Sequence, residues 1–240
     1  MVLTFVGLMA VAYGALAGID RVIGLATGRS FAVAMAPGIG GAAVAMPIPA
    51  IQTASEDAIR VEGYAMPESL YYHQGHSWVK FTDSGDALVG IDDFATKLMG
   101  KTTSIKLPDL GDIRRQGEKG WALLRNDKTL DMAFPLDGEI VAINENLLED
   151  PGALLDDPYG AGWLMKVKPH ALKRNARNLL KGSIARSWME ESAARLRSVF
   201  SGDVGMVYQD GGLPEEGLAR HIEPGTWQEI VSNIFMIDPE

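Results

Sequence analysis

The chain has 240 residues, enough for one sizeable core with appendages. Its 47% hydrophobic and 22% charged content is that of a globular protein, and its net charge of -9 excludes a general nucleic-acid binder, which needs a basic surface. Cysteine is absent, so disulfides and thiolate metal sites are excluded, although that absence does not choose a compartment.

The segment Met1–Ile19 has no charged side chain and is about as long as a bilayer-spanning helix. No Lys or Arg precedes it, as a secretory signal would require, whereas Arg21 and Arg29 follow it. Residues 1–26 are therefore expected to form a transmembrane anchor, making a single-pass membrane protein whose soluble domain lies in the cytoplasm by the positive-inside rule. The alternative is a signal cleaved near the Ala-rich residues 32–36. Residues 27–67 turn to Ala, Gly, Pro and Met with no lasting period, and Pro47-Ile48-Pro49 forbids a regular helix or a central strand. This reads as a partly extended linker whose apolar character suits contact with a partner or the membrane.

From 68 to 169 short strands dominate. Ser77–Phe81 alternates, Asp83–Asp86 turns and Ala87–Ile91 returns. Asp92 is placed to cap a helix over Phe94–Met99, with Gly100 as its terminator. Further strands are expected near Thr103–Leu107, Trp121–Leu124, Leu130–Phe134, Gly138–Ile143 and Gly162–Val167, a set that suits a small barrel or sandwich. Between the second and third of these, Arg125-Asn126-Asp127-Lys128 reads as a tight hairpin turn, since Asn and Asp tolerate turn geometry.

Several chemical readings can be set aside. His73 and His76 lie on an extended segment and project to opposite faces rather than onto one metal. The pairs Asp92-Asp93, Asp109/Asp112 and Asp156-Asp157 fall at caps and turns, where Asp bonds backbone amides. Gly38-x-Gly40-Gly41 has neither the preceding strand nor the following capped helix of a phosphate loop. No nucleophile elbow is found, and no enzymatic activity or metal site is expected.

The motifs carry a resemblance. Tyr72-His73-Gln74-Gly75-His76-Ser77-Trp78-Val79, Val89-Gly90-Ile91-Asp92-Asp93-Phe94-Ala95 with Leu98-Met99-Gly100, Leu107-Pro108-Asp109-Leu110-Gly111-Asp112, Pro135 to Asn144, and Asp157-Pro158-Tyr159-Gly160-x-Gly162-Trp163-Leu164 occur in order. Together they resemble the glycine cleavage system H protein, a lipoyl/biotinyl-domain family, over about residues 70–169. The resemblance implies a mainly β fold, a lipoyl-type barrel-sandwich hybrid of two small antiparallel sheets with a modified lysine on an exposed hairpin. In that family the lysine sits in Glu-Ser-Val-Lys-Ala. Here the stretch reads Leu124-Arg125-Asn126-Asp127-Lys128, so gapless register puts Asp127 at the lysine's position and Lys128 one place late. An aspartate cannot form the amide to lipoate, and one step along a strand reverses the face.

Two readings of Lys128 follow from the resemblance. In one, a slipped turn presents it and it carries lipoate, an aminomethyl or reducing-equivalent shuttle. In the other, preferred here, the fold outlasts the site, no cofactor is expected, and the protein is a non-catalytic accessory or scaffold subunit of a membrane-associated complex. Its partners would then be the membrane and other protein subunits.

Residues 170–240 read as an α-helical extension. Leu172, Ala176, Leu179, Leu180, Ile184, Trp188, Met189 and Leu196 recur at helical spacing, and Gly182 separates two helices or permits a bend. Seven basic residues between Lys173 and Arg197 face only Glu190 and Glu191, so this amphipathic segment either packs on the domain, the favoured case, or lies on lipid. A last helix over Thr226–Phe235, capped by Gly225 or Thr226, makes a stripe of Trp227, Ile230, Val231 and Ile234. That stripe is a lid on the core or a docking surface.

Overall fold

The computed structural model describes residues 57–200 and 214–237, with the backbone alone of 31–34, 44–47, 208–209 and 213. In chain order the elements are strands β1 (Phe31–Ala34), β2 (Val44–Pro47), β3 (Ala58–Val61), β4 (Tyr64–Pro67), β5 (Tyr71–His73), β6 (Ser77–Phe81) and β7 (Ala87–Ile91), then helix α1 (Asp93–Met99). There follow β8 (Ser104–Lys106), β9 (Ile113–Arg114), β10 (Lys119–Arg125), β11 (Lys128–Ala133), β12 (Gly138–Ile143), α2 (Asn146–Glu149), α3 (Ala153–Asp156) and β13 (Met165–Pro169). The C-terminal part adds α4 (Leu172–Asn175), β14 (Leu179–Leu180), α5 (Gly182–Val199), β15 (Tyr208–Gln209), β16 (Leu213–Pro214) and α6 (Pro224–Phe235).

The fold is mainly antiparallel β with helices on its margins. One sheet runs β14-β5-β6-β7-β13-β12-β1-β2 with β9 also on β12, and a second, three-stranded sheet runs β11-β10-β8. Only the second matches the expectation of two small sheets. The first is enlarged at one edge by β1 and β2 and at the other by β14, which covers backbone groups that β5 would leave unpaired.

The motifs are explained by what they pack. Trp78, fully buried on β6, lies over Gly90 of β7, where a Cβ would come within 2.4 Å of the indole ring. Its Nε1 donates to the Pro158 carbonyl at 3.0 Å. Asp157 closes the next loop, its carboxylate accepting from the N–H groups of Gly160 (2.9 Å) and Ala161 (2.7 Å). Asp92 caps α1 by accepting from the Ala95 N–H at 2.9 Å, and Gly100 ends the helix at φ 66°, a conformation that favours glycine.

Three expectations are corrected. The linker does not reach residue 67. Ala58–Pro67 is the hairpin β3–β4, with Val61, Tyr64 and Met66 buried and the Tyr64 ring 4.9 Å from that of Phe94. The Tyr159 hydroxyl ties it down, donating to the Ala65 carbonyl at 2.7 Å and accepting from the Asp93 N–H at 3.0 Å. Further upstream, β1 and β2 pair antiparallel and Val33 stands opposite Ile143, so part of that segment is sheet.

Leu179–Leu180 is strand, not helix, because the open edge of β5 offers pairing that an isolated helical turn lacks. The buried face of α5 is Ala185, Met189, Ser192, Ala193 and Leu196, which keeps Met189 and Leu196 of the expected stripe, while Ile184 is 66% exposed. The charges of α5 are met within the protein. Arg186 pairs with Glu68 at 2.7 Å, Arg197 with Glu62 at 2.5 Å and Arg195 with Glu191 at 2.7 Å. The packed arrangement is therefore the one found, with Glu62 and Glu68 of the β3–β4 region among the partners of α5.

The expected transmembrane anchor, residues 1–26, lies outside the described residues. Among those described, no helix is long and apolar enough to cross a membrane.

Candidate functional site

The hairpin β10–β11 carries the residues singled out from the sequence. Arg125 pairs with Lys128, leaving Asn126 and Asp127 as a two-residue turn in which Asn126 takes φ 52°. Both turn residues are exposed, so the apex presents a carboxamide and a carboxylate. Lys128 is the first residue of β11. Strand alternation puts it on the same face as Leu130 and Met132, both fully buried, while Thr129 and Asp131 face outward.

Lys128 is accordingly 7% exposed. Its Nζ donates to the Ile222 carbonyl at 2.8 Å and lies 6.0 Å from the centre of the Trp227 ring. Trp227 in turn donates from Nε1 to the Thr129 carbonyl at 3.0 Å. Arg125 turns back against α1, donating to the Met99 carbonyl, and its guanidinium is enclosed by Gly100 and Gly217. The Gly217 N–H donates to the Lys97 carbonyl at 2.6 Å. The hairpin is thus wrapped by residues 217–227 just below its turn, and Asn126 and Asp127 stay exposed at the tip. A recess of about 460 Å³ beside the tip is lined by Lys101, Thr103, Arg125, Asn126 and Asp150.

The two histidines do different things. His73 is buried on β5, where its Nδ1 accepts from the Gly75 N–H at 3.1 Å. Burial, with a smaller effect from His76, pulls its pKa down to about 4. His76, fully buried at φ 61°, holds Asp92 through Nδ1 at 2.7 Å and stacks on Phe94 with ring centres 4.2 Å apart. Trp188 of α5 and Phe235 of α6 close over the same ring at 4.6 Å and 5.1 Å. Among the described residues no three His, Asp or Glu side chains gather as metal ligands.

A polar knot holds the other end of the hairpin to the extension. The Asp137 carboxylate accepts from the Gln116 N–H at 2.8 Å and binds Arg174, and the Asp137 N–H donates to Asn175 Oδ1 at 3.0 Å. Burial alone would raise the Asp137 pKa, but these donors outweigh it and hold the carboxyl below its usual value. The sequence pointed to Asp127 and Lys128 but not to Ile222, Gly217 or Trp227 as their neighbours. A contact across ninety-four residues leaves no local pattern.

Comparison with known proteins gives the same direction over the middle of the chain. The family model described as "Glycine cleavage H-protein" matches residues 70–192. A glycine cleavage system H protein of Hydrogenovibrio crunogenus is 39% identical over 107 residues, covering 45% of this chain and 83% of that relative. The H protein of Halothermothrix orenii is 37% identical over 127 residues, 52% of this chain and 97% of the relative. A crystal structure of the H protein of Mycobacterium marinum aligns with a TM-score of 0.46 at 29% identity, covering 52% of this chain and 98% of that one. With half of its length matched by the family model and 83% and 97% of two such relatives spanned, the chain belongs to the glycine cleavage H-protein family.

Proposed function

We propose that the protein is a non-catalytic, accessory member of this family that works by binding other protein subunits and is not lipoylated at its hairpin. One observation carries the reading. The apex offers Asp127, while the nearest amine, on Lys128, is buried and bonded to the Ile222 carbonyl. A modifying enzyme needs a free amine at the turn, and neither residue supplies one in this arrangement. The family itself favours the competing reading, a lipoyl carrier loaded on Lys128, for which that amine would have to leave its carbonyl partner.

The finer assignments belong to the same proposal. Residues 1–26 would tether the chain to a membrane by the uncharged run Met1–Ile19, and the apex with its adjoining recess would face a partner subunit. Fractionation of native cells tests the tether. Recovery of the full-length chain in the soluble fraction contradicts it.

Incubation with lipoate, ATP and a lipoate–protein ligase, read by intact mass, tests the hairpin. The unaltered protein is expected to stay unmodified, whereas Asp127→Lys, which sets an amine at the exposed apex, is expected to gain a lipoyl group. A lipoyl adduct on Lys128 in protein taken from its native host overturns the accessory reading.

A further inference from the structure

The family match ends at residue 192, yet the segment that seats on the β10–β11 hairpin is 214–237, outside it. The two stretches meet in four places. Gly217 lies against Arg125, and a Cβ there would come within 2.2 Å of the guanidinium. The Ile222 carbonyl holds Lys128, and Trp227 holds the Thr129 carbonyl. Phe235, fully buried, packs its ring against the stacked His76 and Phe94 at 5.1 Å and 6.3 Å, and its carbonyl lies so near Gly75 that a Cβ there would come within 2.8 Å of it. These contacts join a buried apolar stripe, Trp227, Ile230, Val231, Ile234 and Phe235, to backbone and side chains of the matched domain.

The charge chemistry is unusual for packing alone. A lysine amino group is taken out of water with a carbonyl and an indole ring, rather than a carboxylate, as its partners among the described residues. Such burial is costly for a charge without an ionic partner, and surrounding packing has to offset it. Here the packing comes from α6, so the state of Lys128 is coupled to the seating of α6.

We propose that residues 214–237 are an intramolecular cover that closes the carrier hairpin, occupying the face a modifying enzyme or partner would grip and withholding the amine of Lys128. The proposal rests on the accessory reading and adds its cause: the hairpin is shut by this chain's own tail. Opening the cover turns Lys128 into an ordinary reactive amine, whether or not any lipoylating enzyme recognises it.

The test uses the full chain and a small amine-acylating probe, N-hydroxysuccinimidyl acetate, with peptide mass mapping over time. Lys106, exposed on β8, is the internal reference. Lys128 is expected to react at least tenfold more slowly than Lys106 in the unaltered protein. Gly217→Val, which forces a side chain into the Arg125 guanidinium at φ 76°, and Trp227→Ala are each expected to bring Lys128 to within about threefold of Lys106 while amide exchange in β6 and β7 stays unchanged.

Should either variant lose its whole fold, low urea on the unaltered protein gives the same reading: Lys128 acylation is expected to rise with amide exchange in α6, ahead of β6 and β7. Equal rates for Lys128 and Lys106 at the outset, unchanged protection in both folded variants, or Lys128 following β6–β7 in urea each overturn the cover. Lipoylation of Lys128 in the native host would refute the accessory reading while leaving this probe's result to stand or fall separately.

Discussion

His73 shows what one buried side chain costs as conditions change. Its pKa falls from 6.5 in the open chain to about 4 in the fold, because burial disfavours the charged ring. The folded state therefore binds fewer protons than the unfolded state at mildly acid pH. The stability this neutral ring allows is complete above pH 6.5 and is lost as pH falls toward 4, below which no further loss arises from this group. The difference corresponds to about 3 kcal/mol. Urea unfolding at pH 7 and pH 4 should show that loss in the unaltered protein, and His73→Gln should remove most of it. Retention of the full pH dependence in the variant would assign it to other groups. At this scale the sequence was readable only by type. His76 stands in the β5–β6 turn at φ 61° rather than on the extended segment expected, and the burial that sets the His73 pKa comes from elements far along the chain, β14 among them.

Individual elements were legible where their signals are local. Asp92 as a cap, Gly100 as a stop, and the bounds of Ser77–Phe81, Ala87–Ile91 and Gly138–Ile143 all follow from side-chain chemistry within a few residues, although Ala87–Ile91 is buried on both faces and Ser77, Trp78 and Val79 are buried in succession. Leu179–Leu180 was misread because its leucines fit a helical period and only the edge of β5 decides otherwise. The last helix was found, but Pro224 begins it and Glu223 precedes it, with no side-chain cap, so the expected cap at Gly225 or Thr226 was two or three residues late. The β6–β7 pair yields a sharp expectation. Gly90→Ala puts a methyl group into the Trp78 ring, and since neither strand can shift without breaking the ladder, the change should cost about 2–3 kcal/mol in urea unfolding. A loss below about 0.5 kcal/mol would mean the indole moves aside freely.

For the molecule as a whole, the tail is part of the core. Trp188, Phe235, His76 and Phe94 form one aromatic cluster drawn from α5, α6, the β5–β6 turn and α1. Phe235→Ala should therefore loosen the seating of α6 by about 3–5 kcal/mol, seen as faster amide exchange in α6 than in β6 and β7. Exchange that rises equally in α6 and in β6–β7 would show that tail and sheet open only together. The stripe on α6 was visible in the sequence, as was the choice between lid and docking surface. Which one holds was not, because the deciding contacts join Trp227 to Thr129 and Ile222 to Lys128 across nearly a hundred residues.

The close approach at Gly75 reaches into how this protein can diversify. Because the Phe235 carbonyl occupies the space a methyl group would need, any larger residue at 75 would force the end of α6 to reseat. Grafting residues 214–237 onto a relative bearing a side chain there should fail for want of a single hydrogen's width of room, however well the rest of the surfaces agree.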